Sequence, residues 1–230
     1  MINGLEASFY TKDYEQLHYL SQIIKNKEID ETILLGHLLN ILKQGDVAYD
    51  IGANIGIHTI FMAKKVGSSG QVYAFEPETT TAKMLDDNLK LNNLSNAIVF
   101  RNALGDRLQE GELYINDKIG RGSLSLIKTD GKRVFQKTTI VPGDDLVQKE
   151  NLPIPKVVKI DVEGYELAVL SGLEKTLTRK ECIFLYCEIH PTLLPAGQSQ
   201  DNVMELANRL GFSPIQIYHR GQEIHAIFEK

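Results

Sequence analysis

The hydrophobic pattern divides the chain into stretches of different texture. Near the start, apolar positions recur at helical spacing. Leu17, Leu20, Ile23 and Ile24 form one stripe, and Leu34, Leu35, Leu38, Leu39 and Leu42 a second, with Asp30 placed to cap it and Gly45 to stop it. From Val47 the rhythm becomes strand, helix, strand, helix, strand. Val47–Ile51, Gln71–Phe75 and Ala97–Phe100 read as short buried strands, Ile57–Val66 as a helix, and a second helix opens at Pro77 with Ala82, Leu85 and Leu89 inward. That alternation predicts a parallel sheet with right-handed crossovers.

Over 103–141 the alternation fails. Leu113/Ile115, Leu124/Leu126 and Ile140 suggest short strands around Gly120 and Gly122 without a helix, so this stretch is read as an inserted hairpin or lid. Residues 156–160 then give a fourth core strand, 165–170 a short helix stopped at Gly172, and 183–187 a fifth strand. Val203, Leu206, Ala207 and Leu210 mark a helix closed by Gly211, and the chain ends in a hairpin turning at residues 219–222. The expectation is a single α/β domain over 1–230, with a helical cap at 1–44 and the insert at 103–141.

Composition sharpens this reading only slightly. The 230 residues suit one well-cored α/β domain, and 43% hydrophobic with 24% charged residues is ordinary globular composition. A net charge of −5 weighs against a chain wrapped in nucleic acid. The first residues show no basic-then-apolar leader, and no window approaches about 18 apolar residues, so a cytoplasmic chain without a membrane span is expected. Cys182 and Cys187, five apart in one expected strand, should face opposite ways and stay reduced.

Candidate chemistry gathers at the carboxyl ends of the expected strands, where open parallel sheets bind ligands. Asp50, Glu76, Asn102, Asp161 and Glu188 each end a different strand. The first loop, DIGANIG over 50–56, holds two glycines that would let backbone approach a ligand. It fails the dinucleotide pattern because Asn54 stands where that pattern has its second glycine, and Asp50 would repel a pyrophosphate. A carboxylate there suits a cationic ligand such as S-adenosylmethionine. Glu76, 24 residues after Gly52, is placed to accept from both ribose hydroxyls of an adenosine. Asn102 could meet an adenine amino group or simply shape a turn.

The segments VAYDIGANIGIHT (47–59), YAFEP (73–77), NALGD (102–106), VKIDVEGYE (158–166) and EIH (188–190) together resemble the motifs of the FkbM family of methyltransferases, over roughly residues 47–191. The resemblance implies a Rossmann-like class I methyltransferase fold: a mostly parallel seven-stranded sheet with an antiparallel C-terminal edge and helices on both faces. It implies S-adenosylmethionine as cofactor, with Asp50, Gly52, Ala53, Asn54, Gly56 and Thr59 around the methionine half. Glu76 and Pro77 then belong at the ribose, Asn102 and Ala103 at the adenine, and Asp161 beside the methyl group. It implies as acceptor a hydroxyl on a sugar, glycan or natural-product scaffold.

A hydroxyl acceptor must lose its proton. Asp161, Glu188 and His190 are the expected catalytic group, with His190 or Asp161 as base. Glu163 and Glu166 are read as residues of a helix start, where carboxylates suit the dipole. Lys159 shares a face with Asp161 and is expected in an ion pair, and His58 is expected to line the pocket. Asp161, Glu188 and His190 could also ligate a divalent ion, but their spacing does not demand one, and metal-free transfer is the expectation. Lys118, Arg121, Lys128, Lys132, Arg133 and Lys137 against Asp130 make residues 118–137 basic. This fits either a solvated face or a grip on an anionic acceptor, which Ser123 would also face. RNA methylation on the same fold is disfavoured by the acidic balance and the want of base-stacking aromatics, and a nicotinamide oxidoreductase by Asp50 and the imperfect glycine pattern. A non-catalytic cofactor-binding subunit is less attractive with Asp161 and Glu188 intact.

Overall fold

The computed structural model describes residues 2, 4–10, 30–116, 120–128 and 133–230. The first expected helix, around Leu17–Ile24, lies outside the described residues. Helix α1 (Asp30–Ile41) leads into β1 (Val47–Ile51), α2 (Ile57–Val66), β2 (Gln71–Phe75), α3 (Thr79–Leu91) and β3 (Ala97–Phe100). After the insert follow α4 (Gly143–Lys149), which no sequence pattern announced, and then strand β8 (Val157–Asp161). Helices α5 (Glu166–Gly172) and α6 (Glu174–Leu177), β9 (Phe184–Ile189), α7 (Gln200–Arg209), β10 (Ser213–Arg220) and β11 (Glu223–Glu229) complete the chain.

Seven strands form one sheet in the order β10-β11-β9-β8-β1-β2-β3. The five strands β9, β8, β1, β2 and β3 run parallel, β11 pairs antiparallel with β9, and β10 with β11. β8, β9 and most of β1 are buried on both faces, which is why they read as near-continuous apolar runs. Alternation along them feeds two cores. Ala48, Val157, Phe184 and Ile227 meet Leu35, Leu38 and Leu39 of α1 and Phe61 and Met62 of α2 on one face. Tyr49, Ile51, Val158, Ile160 and Leu185 meet Val169 and Leu170 of α5 and Val203 and Leu206 of α7 on the other. Each such leucine, shielded from water, contributes roughly 1.5–3 kcal/mol.

Caps define where helices start. The Glu78 carboxylate accepts from the backbone N–H groups of Thr80 and Thr81, so α3 starts two residues beyond the expected Pro77. Ser199 and Asn202 form a reciprocal capping box on α7.

The insert holds four strands where a hairpin was expected: β4 (Ala103–Gly105), β5 (Gln109–Asn116), β6 (Gly120–Ser125) and β7 (Arg133–Pro142), in the order β4-β7-β5-β6. Among the described residues, Ala103, Leu104, Leu113, Ile115 and Ile140 are its buried apolar residues. Cys182 precedes β9 instead of lying within it, and both cysteines sit in the same core, so the opposite-face argument does not apply; both thiols are nonetheless free.

The chain leaves β1 toward β2 and β3 on one side and returns through β8 and β9 on the other. The carboxyl ends of β1 and β8 therefore frame a crevice at the switch of strand order.

Candidate active site

A cleft open to solvent occupies that crevice. Its floor comes from Ile51, Gly52 and Asn54 after β1. One wall comes from Phe75, Glu76, Pro77, Asn102 and Ala103, and the opposite rim from Asp161, Val162, Glu163 and Tyr165. Leu104 and Leu113 of the insert, with Leu126 just beyond β6, face it as an apolar cover.

The glycine loop is shaped by protein contacts. Gly52 has φ +76°, and a Cβ on it would stand 1.7 Å from the Asp161 carbonyl oxygen. At Gly56, φ is +94° and a Cβ would meet Leu85 Cδ1 at 2.1 Å. Positive φ and close packing on β8 and α3 thus require both glycines, independently of the ligand approach expected of them. Of the loop residues assigned to the cofactor, Gly52 and Asn54 line the cleft, whereas Asp50, Ala53, Gly56 and Thr59 are buried beneath it.

Asp50 is fully buried. Its Oδ2 accepts from Thr59 Oγ1 at 2.5 Å and its Oδ1 lies 3.2 Å from Lys159 Nζ. The same ammonium donates to the Gly52 carbonyl at 2.7 Å and lies 3.5 Å from Asp161 Oδ2. Burial opposes a charge on Lys159, but Asp50, Asp161 and Glu188 together raise its pKa above the ordinary lysine value. The expected ion pair of Lys159 is therefore present. Asp50, expected to meet a cationic ligand, faces this buried lysine instead of the open cleft.

Glu76 is 8% exposed. Its Oε2 accepts from the Asn54 N–H and its Oε1 from the Glu78 N–H, each at 2.9 Å. Burial pushes its pKa up to about 7 despite those two bonds. Each carboxylate oxygen keeps a second acceptor position, so the side chain can still receive a pair of hydroxyls from the cleft it lines.

The other rim is built around His190, which is 4% exposed. Nδ1 lies 2.8 Å from Glu166 Oε1, which also accepts from the Gly164 N–H at 2.8 Å. Nε2 faces Glu188 Oε1 at 3.7 Å, Glu163 Oε2 at 3.8 Å and Asp161 Oδ1 at 4.0 Å. Burial opposes a charge on the ring, but the Glu166 bond and the Asp161 and Glu163 carboxylates outweigh it and push its pKa up to about 10. An imidazolium has no lone pair to take a proton, which weighs against His190 as base.

Asp161 and Glu188 are register partners across β8 and β9. Glu188 nevertheless points away from the cleft. It accepts from Arg220 and from the Tyr186 hydroxyl, each at 3.0 Å, and its pKa is pushed up to about 8 by burial and by Asp161. For Asp161, burial is outweighed by Lys159 and then His190, which hold its carboxyl below the usual range. Of the three residues expected to handle the acceptor proton, only Asp161 lines the cleft. His58, expected in the pocket, is buried outside it, and burial together with Lys159 pushes its pKa down to about 4.

Sequence reasoning missed Glu166, Tyr186, Arg220 and His225. Glu166 does begin α5, yet it is fully buried and serves His190. Glu163 sits before that helix with φ 53°. Tyr186, on the same strand as Glu188, and His225, on neighbouring β11, stand 2.6 Å apart and back that carboxylate. The period-2 parity of 186 with 188 was the available signal for Tyr186.

The sheet order, the cleft at its switch point and the acidic residue after β2 define a class I, S-adenosylmethionine-dependent methyltransferase. The chain belongs to the FkbM methyltransferase family, whose domain model matches residues 50–214. Among curated proteins it is 27% identical over 195 residues to the hexuronic acid methyltransferase AglP of Haloferax volcanii, covering 84% of this chain and 74% of that protein. Among solved structures it is similar to an rRNA methylase from Streptococcus thermophilus, with TM-score 0.55, 15% identity, and coverage of 87% of this chain and 95% of that one. A Streptococcus mutans protein solved in complex with SAH matches with TM-score 0.52 and 14% identity over 86% of this chain and 96% of that one. Likeness at these identities concerns the fold. Among the described residues, no helix is long and apolar enough to cross a membrane.

Proposed function

We propose that this chain methylates a hydroxyl group of a sugar-like acceptor, with a uronic acid or other anionic sugar as the favoured class. The observation that carries this reading is that one continuous cleft joins Glu76, Asn102 and Ala103 at one end to Asp161 and Glu163 at the other. An adenosine-sized group fits the first end by chemistry. Glu76 offers acceptors to a ribose diol, while Phe75, Leu104 and Leu113 offer apolar surface to a base. The likeness to a hexuronic acid methyltransferase supports the acceptor class.

S-adenosylmethionine supplies an activated methyl group that an oxygen displaces in line from sulfur. The contributions of the chain are alignment and proton removal. Asp161, ionised and 29% exposed at the rim, accepts the acceptor's hydroxyl proton, with Glu163 beside it. Lys159 fixes the Asp161 carboxylate from behind, and the leucines of the insert shield the reacting groups from water. Exposed Lys128, Arg133 and Lys137 on the insert give an anionic acceptor a favourable approach. Arg121 and Ser123 were expected to share this task.

The test is incubation with isotopically labelled S-adenosylmethionine and a panel of uronic acids, neutral glycans and RNA, followed by mass spectrometry. Label on a sugar hydroxyl supports the reading. Label on RNA alone, or no binding of the demethylated cofactor product by calorimetry, defeats it.

A further inference from the structure

We propose that Asp161, Glu163 and His190 form a binding site for one divalent transition-metal ion, Mn(II) by its donor set, at the acceptor end of the cleft. One ligand atom from each of the three lies within 4.8 Å of the others. The separations are informative. His190 Nε2 stands 3.8 Å from Glu163 Oε2 and 4.0 Å from Asp161 Oδ1. Both are too long for hydrogen bonds. Two ligands about 2.2 Å from a common ion stand roughly 3.1 Å apart when adjacent and roughly 4.4 Å when opposite, and the observed spacings fall between.

The histidine supplies an observation independent of the carboxylates. Its ring is 4% exposed, and Nε2 aims into the cluster, facing carboxylates of Glu188, Glu163 and Asp161 at 3.7, 3.8 and 4.0 Å. Nδ1 is locked by Glu166, which is fully buried and anchored to the Gly164 N–H. A carboxylate that orients a histidine through one nitrogen while the other faces an acidic pair is the arrangement that presents imidazole to a metal. Two carboxylates and one imidazole suit Mn(II) better than the all-oxygen preference of Mg(II) or the sulfur-rich preference of structural Zn(II).

A rival trio, Glu188, His190 and Glu223, satisfies the same spacing. Arg220 already occupies it, at 3.0 Å from Glu188 and 2.7 Å from Glu223, and none of the three lines the cleft. Asp161 and Glu163 do line it, so an ion there keeps positions open to an acceptor.

The use of the ion rests on the methyl-transfer reading above; its binding does not. An acceptor hydroxyl entering an open position loses its proton to a carboxylate oxygen the ion leaves free. Its oxygen then forms the bond to the methyl carbon as the methyl–sulfur bond breaks, and the bonding pair stays on sulfur. The products are a methyl ether and a neutral thioether.

The test titrates Mn(II) alone into chelator-stripped full-length protein and follows the electron paramagnetic resonance signal of the free ion. Binding of the demethylated cofactor product is measured in parallel by calorimetry. Expected are about one bound ion per chain with imidazole nitrogen coupling in its pulsed spectrum, roughly tenfold or greater weakening in Glu163→Gln, and unchanged affinity in Glu223→Gln. His190→Gln, which removes the nitrogen coupling, serves where Glu163→Gln does not fold. Failure to bind Mn(II) up to millimolar concentration overturns the site, as does loss of binding in Glu223→Gln with retention in Glu163→Gln. Product binding without Mn(II) binding leaves the methyltransferase reading standing and removes the metal. Mn(II) binding without product binding does the reverse.

Discussion

Replacing Glu76 by glutamine separates what this residue does for the fold from what it does for a ligand. The amide keeps the shape and loses the charge and one acceptor oxygen. Its NH₂ group must then face either the Asn54 or the Glu78 N–H, donor against donor. One unmet buried donor costs about 1–3 kcal/mol. The wild-type carboxyl has a cost of its own: moved from 4.5 to about 7, it carries a penalty of about 3 kcal/mol once ionised. Because the folded value is raised, this group's contribution to stability is full below about pH 4.5 and is lost as pH rises through about 7. At pH 8 the two effects oppose each other, and Glu76→Gln should change unfolding free energy by less than about 2 kcal/mol. The ligand sees only loss: one of two charge-assisted bonds disappears and the other becomes neutral. That is worth about 1.5–3 kcal/mol, or roughly 10- to 150-fold in affinity for S-adenosylhomocysteine. Urea unfolding and calorimetry on the same preparations check both halves. Affinity within threefold of wild type, at any stability, would mean that Glu76 only organises the turn and that the ribose assignment is wrong.

Affinity for S-adenosylhomocysteine should be flat above about pH 7 and weaken below it as Glu76 takes a proton, with Glu78 and Lys159 the charged groups that tune it; a flat calorimetric profile from pH 5.5 to 8 would exclude this carboxylate from the contact. Gly52→Ala places a methyl group against the Asp161 carbonyl at positive φ, and about 1–2 kcal/mol of backbone strain plus about 1–3 kcal/mol of overpacking should lower the urea midpoint clearly; an unmoved midpoint would show that the β1–β8 approach is not tight. Lys159→Met strands the fully buried Asp50 and should cost roughly 3–5 kcal/mol, much of it recovered when Asp50→Asn is added; purely additive losses in that double-mutant cycle would deny the pairing.

The parallel core was legible because its strands are buried on both faces and therefore mostly apolar, with Asp50, Lys159 and Asp161 the exceptions in Val47–Ile51 and Val157–Asp161. The terminal hairpin was legible from alternating apolar positions on either side of a polar turn, although Ile215 and Ile217 of β10 face solvent while Tyr218 and Arg220 turn partly inward. The insert was not. Its order β4-β7-β5-β6 depends on a parallel pairing of Ala103 with Ile140, a contact that closes over more than thirty intervening residues and leaves no local signature. Helix α4 escaped for a related reason: in GDDLVQK only Leu146 is a buried side chain, too few apolar positions to establish a period.

At the site, sequence located the row of strand-end residues but not the direction in which each side chain turns, and the reason is electrostatic. Parity along β8 places Lys159 and Asp161 on one face, and the β1–β8 register brings Asp50 opposite Lys159. A cation set between two carboxylates draws both toward itself, so Asp50 turns inward and Asp161 stays at the rim, fixed by one bond partner and partly exposed. Glu188, one strand farther out, finds Arg220 on the returning hairpin and is pulled away from the cleft as well. What remains facing the acceptor is the pair Asp161 and Glu163 with His190 behind them, three donors whose mutual spacing no linear pattern could reveal, because Glu163 reaches its place only through a left-handed turn and His190 only through its bond to Glu166.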